Sequence, residues 1–190
     1  MMKTLQFHFM PKELQALVDL ANNVWNDIRL PHGHVDEASR LGPNWYNLSG
    51  FFYVNTKQAY CLDVKGYEFP DRTEIFRLGI TRERENPKLF DPASIPSIQD
   101  ITLPENLALN KFINEKNTIF LLSIHDHVEV ALTKQSHLLD VECDCGLYVV
   151  NQHARLLILT DEMPYWLRIT THNESIDEAL KMVSKIQLIL

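Results

Sequence analysis

Alternation of period two opens the chain. In KTLQFHF, Leu5, Phe7 and Phe9 fall on one side and Gln6 and His8 on the other, which predicts a half-buried strand. From Pro11 the period lengthens. In PKELQALVDLANNVWNDIRL, Leu14, Leu17, Val18, Ala21, Val24, Trp25 and Ile28 recur at helical spacing, and the proline suits a first helical turn, so a helix is expected over this run. Residues 31–50 hold two prolines and three glycines without a sustained period and read as a long loop.

From Phe51 the period returns to two. FFYVN, QAYCLDV and EIFRLGIT, separated by turns near Thr56 and Lys57 and at Lys65 and Gly66, predict an antiparallel meander. Glu85–Thr102 carries Pro87, Pro92 and Pro96 and reads as a linker or functional loop. Thr102-Leu103-Pro104-Glu105 has capping-box spacing and predicts a short helix through about Asn114. TIFLLSI, HVEVALT, LLDVECD, LYVVN, RLLILT and YWLRIT then follow as strands joined by short turns. A second capping box, Ser175 to Glu178, predicts a terminal helix striped by Ile176, Ala179, Leu180, Val183 and Ile186.

These elements predict an α+β fold, a large and mostly antiparallel meander-like sheet covered by an N-terminal and a C-terminal amphipathic helix. With 190 residues and 45% hydrophobic side chains, one domain over 1–190 is expected, with substructure 1–84 and 103–190 joined by the Pro-rich stretch 85–102.

Charge refines this picture. The net charge is −7, and residues 1–90 hold 11 acidic and 11 basic side chains against 14 and 7 in residues 91–190, so the excess lies in the second part. That balance argues against a nucleic-acid ligand, which needs a concentrated basic surface, and suits a basic protein partner or a cation. The opening MMKTLQFHFMPKELQ lacks an apolar signal-peptide stretch, and no run approaches the ~18 apolar residues of a membrane span, so a cytoplasmic protein is expected.

The densest chemistry lies in SIHDHVEVALTKQSHLLDVECDC, residues 123–145, which holds three histidines, two cysteines and five carboxylates. Strand alternation puts His127 and Glu129, with His125, on one face of the first strand, and Asp140, Glu142 and Asp144 on one face of the second. Val141, Cys143, Cys145 and Leu147 take the opposite, core-facing side. Paired as a hairpin, the two strands join their polar faces into one surface. His125 and His127 with a facing carboxylate suggest an open metal site, although Cys-x-Cys offers only two thiolates where a structural zinc site takes four ligands. The plainer readings are the wet side of an antiparallel sheet or a partner-binding surface, because aligned carboxylates repel one another and a basic partner relieves that repulsion.

Little else carries chemistry. There is no Gly-x-Ser-x-Gly elbow and no phosphate-binding glycine run, and Cys61 sits on an apolar strand pattern. RTEIFRLGITRERENPK mixes Arg72, Arg77, Arg82, Arg84 and Lys88 with glutamates and reads as an exposed strand end. His32, His34, Trp45 and Tyr46 in the long loop could form a ligand mouth or interface anchors, or Trp45 and Tyr46 could tuck under it as a satellite core.

The leading expectation is a non-enzymatic bacterial binding protein of the immunity or antitoxin type, which occludes a basic protein such as a cognate toxin with an acidic surface. Its contact residues would be Glu129, Asp140, Glu142, Asp144, Trp45 and Tyr46, with no cofactor. The alternatives are a metal-dependent hydrolase using His125 and His127, and a small-molecule sensor or accessory domain using the Trp45 loop.

Overall fold

A computed structural model describes residues 4–30, 35–37, 43–49, 51–82, 94–131, 136–160 and 166–190. Strand β1 (Leu5–Phe7) leads into helix α1 (Pro11–Ala21). Pro11 starts the first turn, and the Met10 N–H donates to Glu13 Oε2 at 2.8 Å, so a backbone donor free at the helix end is satisfied. Ala16, Leu17, Leu20 and Ala21 form the buried stripe.

The helix is shorter than its apolar period predicts. Asn22 Nδ2 donates to the Val18 carbonyl at 3.0 Å and Asn23 Nδ2 to the Asp19 carbonyl at 2.6 Å, which offers the last turn partners other than a further helical turn. The chain then extends, and Ile28, assigned above to the helix stripe, lies buried in strand β2 (Asp27–Arg29).

Strand β2 pairs with β5 (Phe52–Asn55), which pairs with β6 (Ala59–Glu68) and then β7 (Glu74–Arg82), giving a four-stranded antiparallel sheet. The expected meander is present, but its second turn is displaced. Gly66 stands inside the ladder opposite Phe76, and the chain reverses instead at Phe69–Thr73, where the Phe69 N–H donates to the Thr73 carbonyl at 2.8 Å and the Asp71 carboxylate accepts from the Thr73 N–H at 3.0 Å.

The other strands make a second, larger sheet. They are β3 (Val35–Glu37), β4 (Tyr46–Ser49), β8 (Thr118–Ala131), β9 (Ser136–Val150), β10 (Arg155–Thr160), β11 (Trp166–Thr170) and β12 (Lys185–Leu188). Their order is β12-β8-β9-β10-β11-β4-β3, antiparallel throughout, and β1 adds an eighth, parallel strand beside β9. The fold is thus mostly antiparallel sheet with two helices, compatible with α+β.

The single large sheet expected from the sequence is two sheets sharing one core. Ile28, Phe52, Leu62 and Ile80 of the smaller sheet and Leu48, Leu121, Leu147, Ile158 and Ile169 of the larger fall in one buried cluster together with Leu17 and Leu20 of α1. Each sheet has an apolar face that water disfavours, and facing the two buries both.

The helices do not cover a common sheet. Helix α1 packs beside β7 of the smaller sheet, whereas α2 (Asn173–Leu180) packs beside β10 of the larger. On β10, Leu156 and Ile158 join the main core and Leu157 joins Ile176, Trp45, Leu122 and Cys145, so α2 lies on the opposite face. Helix α2 also ends earlier than expected: Ile186 is not on its stripe but in β12, paired with Leu122 of β8.

The helix expected after Thr102 is reduced to a 3-10 turn at Leu109–Phe112, whose ends are buried. Of the Pro-rich stretch, residues 85–93 lie outside the described residues, as do residues 132–135 between β8 and β9 and residues 161–165 between β10 and β11. From Ser94 onward the segment is a packed loop on the edge of β2. Ile95 and Ile98 are buried, the Ile98 N–H donates to the Ile28 carbonyl at 2.9 Å, and Ser97 Oγ donates to Asp27 Oδ1 at 2.5 Å.

Candidate functional site

Strands β8 and β9 form the longest ladder in the molecule, from Thr118 opposite Val150 to Ala131 opposite Ser136. Strand β10 covers the other edge of β9 only from Gly146 to Val150, and β1 takes over alongside Val141–Cys143. The hand-over coincides with a bulge. Leu122 pairs with Gly146 and Ser123 with Asp144, which leaves Cys145 as the extra residue.

The bulge changes which side the side chains take. Val141 and Cys143 pack with Ile75 and Phe7, and Cys145 packs with Trp45 and Leu122, whereas Leu147 enters the main core. The common face expected for Val141 through Leu147 therefore ends at Gly146. A side chain there would drive a Cβ against the Ile158 carbonyl oxygen of β10, so this close strand approach requires glycine.

Beyond the bulge, the expected polar face is assembled. His125 stands opposite Glu142 and His127 opposite Asp140, with Glu129 one rung further on. His125 Nε2 lies 3.4 Å and His127 Nδ1 2.7 Å from the same oxygen, Asp140 Oδ1, and the two rings are 5.7 Å apart. That oxygen is enclosed and takes no aligned hydrogen bond, so these are close polar contacts of the two rings rather than directed bonds. Glu129 accepts a bond from the Ser136 hydroxyl.

Asp144 has a different place. It is buried, and it accepts the Phe9 N–H at 2.7 Å and the Ser123 hydroxyl at 2.8 Å, with His8 Nδ1 at 3.1 Å. Its carboxylate ties the end of β1 to β8 and β9 and is not part of the exposed surface. The Ser123, Asp144 and His8 contacts also differ from a nucleophilic triad, because the carboxylate stands between the other two and Ser123 is buried.

His8 is the residue of this face that the hairpin reading did not contain. Its Nε2 lies 3.8 Å from Glu142 Oε2, so His8 links the buried Asp144 to a face that reads Glu142, then His125, Asp140 and His127. The alternation of LQFHF already put His8 on a polar side. Only the parallel pairing of β1 with β9 brings it here, and that pairing joins residues more than 130 positions apart.

Trp45 and Tyr46 are both buried, the first in the cluster under α2 and the second in the main core, so neither offers a surface anchor. His32 and His34 lie outside the described residues. Among the described residues, no three His, Cys, Asp or Glu side chains are placed to hold a metal ion. Burial pushes the thiols of Cys61, Cys143 and Cys145 up to about 12, which favours their neutral form.

Arg77, which the sequence places in an exposed mixed-charge run, is 1% exposed. Its guanidinium meets Glu13 at 2.9 and 3.3 Å and the Tyr67 hydroxyl at 3.3 Å, and it lies over the Phe9 ring. At the far end of the hairpin the Asp71 carboxylate accepts the Ala131 N–H at 2.6 Å, and this bond, with those from Thr73, holds its pKa below the ordinary value. The polar face is thus braced at both ends. No family model, curated protein or solved structure matches this chain. Among the described residues, no helix is long and apolar enough to cross a membrane.

Proposed function

We propose that the chain is a non-enzymatic binding protein whose β8–β9 face docks a basic protein partner, in the manner of an immunity or antitoxin-type inhibitor that occludes a cognate toxin in the bacterial cytoplasm. One observation carries this reading. Strands β8 and β9 together contain five carboxylates and no lysine or arginine; Glu129, Asp140 and Glu142 share the exposed face with His125 and His127, while Asp126 alternates to the other side and Asp144 is buried. Their field is therefore uncompensated by any cation on the same ladder, and a cationic surface approaching it gains attraction and speed of encounter.

Occlusion needs a preformed surface and no turnover. The hairpin supplies one, because the Asp144 bonds at one end and the Asp71 bond at the other fix it before any partner arrives, which limits the ordering cost of association.

The test is affinity capture with the tagged protein from its native cells at low and moderate salt, followed by titration of the captured partner. Glu129→Lys with Glu142→Lys is expected to weaken binding at least about tenfold, about 1.4 kcal/mol, while the circular dichroism stays unchanged. An affinity untouched by that double reversal would remove this face as the interface.

A further inference from the structure

Strand β12 is the end strand of the larger sheet, and among the described residues nothing pairs with its outer edge. The edge of β2 is treated differently, being bridged by Ser97. An open edge is a row of unpaired N–H and C=O groups, and folded proteins commonly blunt such edges with charge, proline or a cover.

Here the strand begins with Lys185, but the positions whose backbone faces outward are apolar. The Ile189 N–H donates to the Ile119 carbonyl at 3.0 Å, so by strand alternation Lys185, Gln187 and Ile189 turn their backbone groups toward β8 while Ile186 and Leu188 turn theirs outward. The same alternation puts the side chains of Ile186, Leu188 and Leu190 on one face, and they are 49%, 43% and 84% exposed. Ile189, on the other face, is buried in the main core and anchors the strand.

We propose that this edge pairs with β12 of a second copy of the chain, antiparallel about a two-fold axis through Gln187, joining the two larger sheets into one. In this register Ile186 of each copy stands opposite Leu188 of the other, and each pair exchanges two backbone hydrogen bonds, which makes about four in all. Apolar side chains thus meet apolar side chains directly across the ladder.

Charge favours a second copy as the occupant. The chain carries a net charge of −7, yet no aspartate or glutamate occurs from Ala179 to Leu190, so two acidic molecules can approach here without opposing acidic side chains. The two Lys185 side chains fall about four residues apart along the ladder, roughly 13 Å, which is beyond the screening length at physiological salt.

Sedimentation and light scattering over a range of concentrations test the proposal. The wild-type chain should show twice its 22.1 kDa mass, and Ile186→Lys with Leu188→Lys should return it to one chain length with unchanged circular dichroism. Leu188→Pro, which removes an outward N–H and no bond to β8, should do the same.

The register has its own readout. Gln187→Cys places two thiols across the axis in a non-hydrogen-bonded pair, with Cα atoms about 4.5 Å apart and within disulfide reach, so mild oxidation should link two chains. Lys185→Cys should not link them. A wild-type protein that stays monomeric up to about 1 mM, or a dimer that persists in the lysine and proline variants, would overturn the proposal. A monomer that instead captures a foreign extended segment on β12 would also overturn it.

Discussion

At the residue scale, the strongest constraint is a charge that the sequence places on the surface and the fold buries. Arg77 is held by Glu13 from α1 and by Tyr67 from β6, with Phe9 against its plane. The run EIFRLGITRERENPK gives no sign of this, because Glu13 lies 64 positions away and the pairing exists only when α1 packs on β7. Glu13→Ala leaves the guanidinium enclosed with a hydroxyl and a carbonyl but no anion, so it is expected to cost about 3–5 kcal/mol in urea unfolding. Glu13→Gln should cost less, since its amide oxygen still accepts one bond. An unchanged midpoint in the alanine variant would show that the pair carries no stability.

The cysteines argue in the opposite way, because alternation correctly put Cys143 and Cys145 on an apolar face. Burial holds all three thiols neutral in the fold, with values near 12 against an ordinary 9.0. Their stabilising contribution is complete below about pH 9 and is lost as pH rises toward 12, because the unfolded chain ionises first. Unfolding free energies measured at pH 8, 10 and 11 should fall in that order, and alkylation of the buried Cys143 and Cys145 at pH 8 should be slow until denaturant is added. Fast alkylation of Cys143 or Cys145 in the native protein would contradict their burial.

At the scale of elements, the difference between period two and period 3.6 was legible wherever a run was long, and ambiguous where it was short. Strand β6 follows the alternation closely, whereas β7 and β10 are buried on both faces over three or more successive residues. In LKMVSKIQLIL, Val183 and Ile186 satisfy helical spacing while Ile186, Leu188 and Leu190 satisfy strand alternation, and only the free edge of β8 decides between them. Asparagines 22 and 23 similarly end α1 by bonding back to its carbonyls, a local event within an apolar period that continues past it.

The bulge at Cys145 shows the same limit. A strand reading places Val141 to Leu147 on one face, and one inserted residue moves Leu147 to the other. Gly146 makes that insertion tolerable because β10 runs against it. Gly146→Ala must push the two strands apart, and the expected cost is about 1–3 kcal/mol in thermal or urea unfolding, with weaker amide protection along β10 than along β7. A neutral effect would mean that the ladder yields without strain at this position.

At the scale of the whole molecule, β8 joins two surfaces of contrasting physics. Its first half, Phe120 to Ser123, holds β12 and through it the apolar edge; its second half, from His125 onward, holds the polar face. The sequence made the second visible, since His125, His127, Glu129, Asp140 and Glu142 alternate within one segment. It hid the first, because β12 resembled the end of a helix, and it hid the removal of Asp144 from the surface, because His8 and Phe9 come from the far end of the chain.

Salt separates the two surfaces. Docking of a basic partner on the carboxylate face is an attraction between opposite charges, so its affinity should fall as ionic strength rises. Pairing of two β12 edges rests on backbone bonds and apolar contacts between molecules that each carry −7, so screening should leave that association unchanged or tighten it. Titrating partner affinity and self-association constant over the same salt series should therefore give slopes of opposite sign, or a steep slope for the partner and a flat one for the dimer. Parallel declines would place both events on one charged surface and would separate neither from the other.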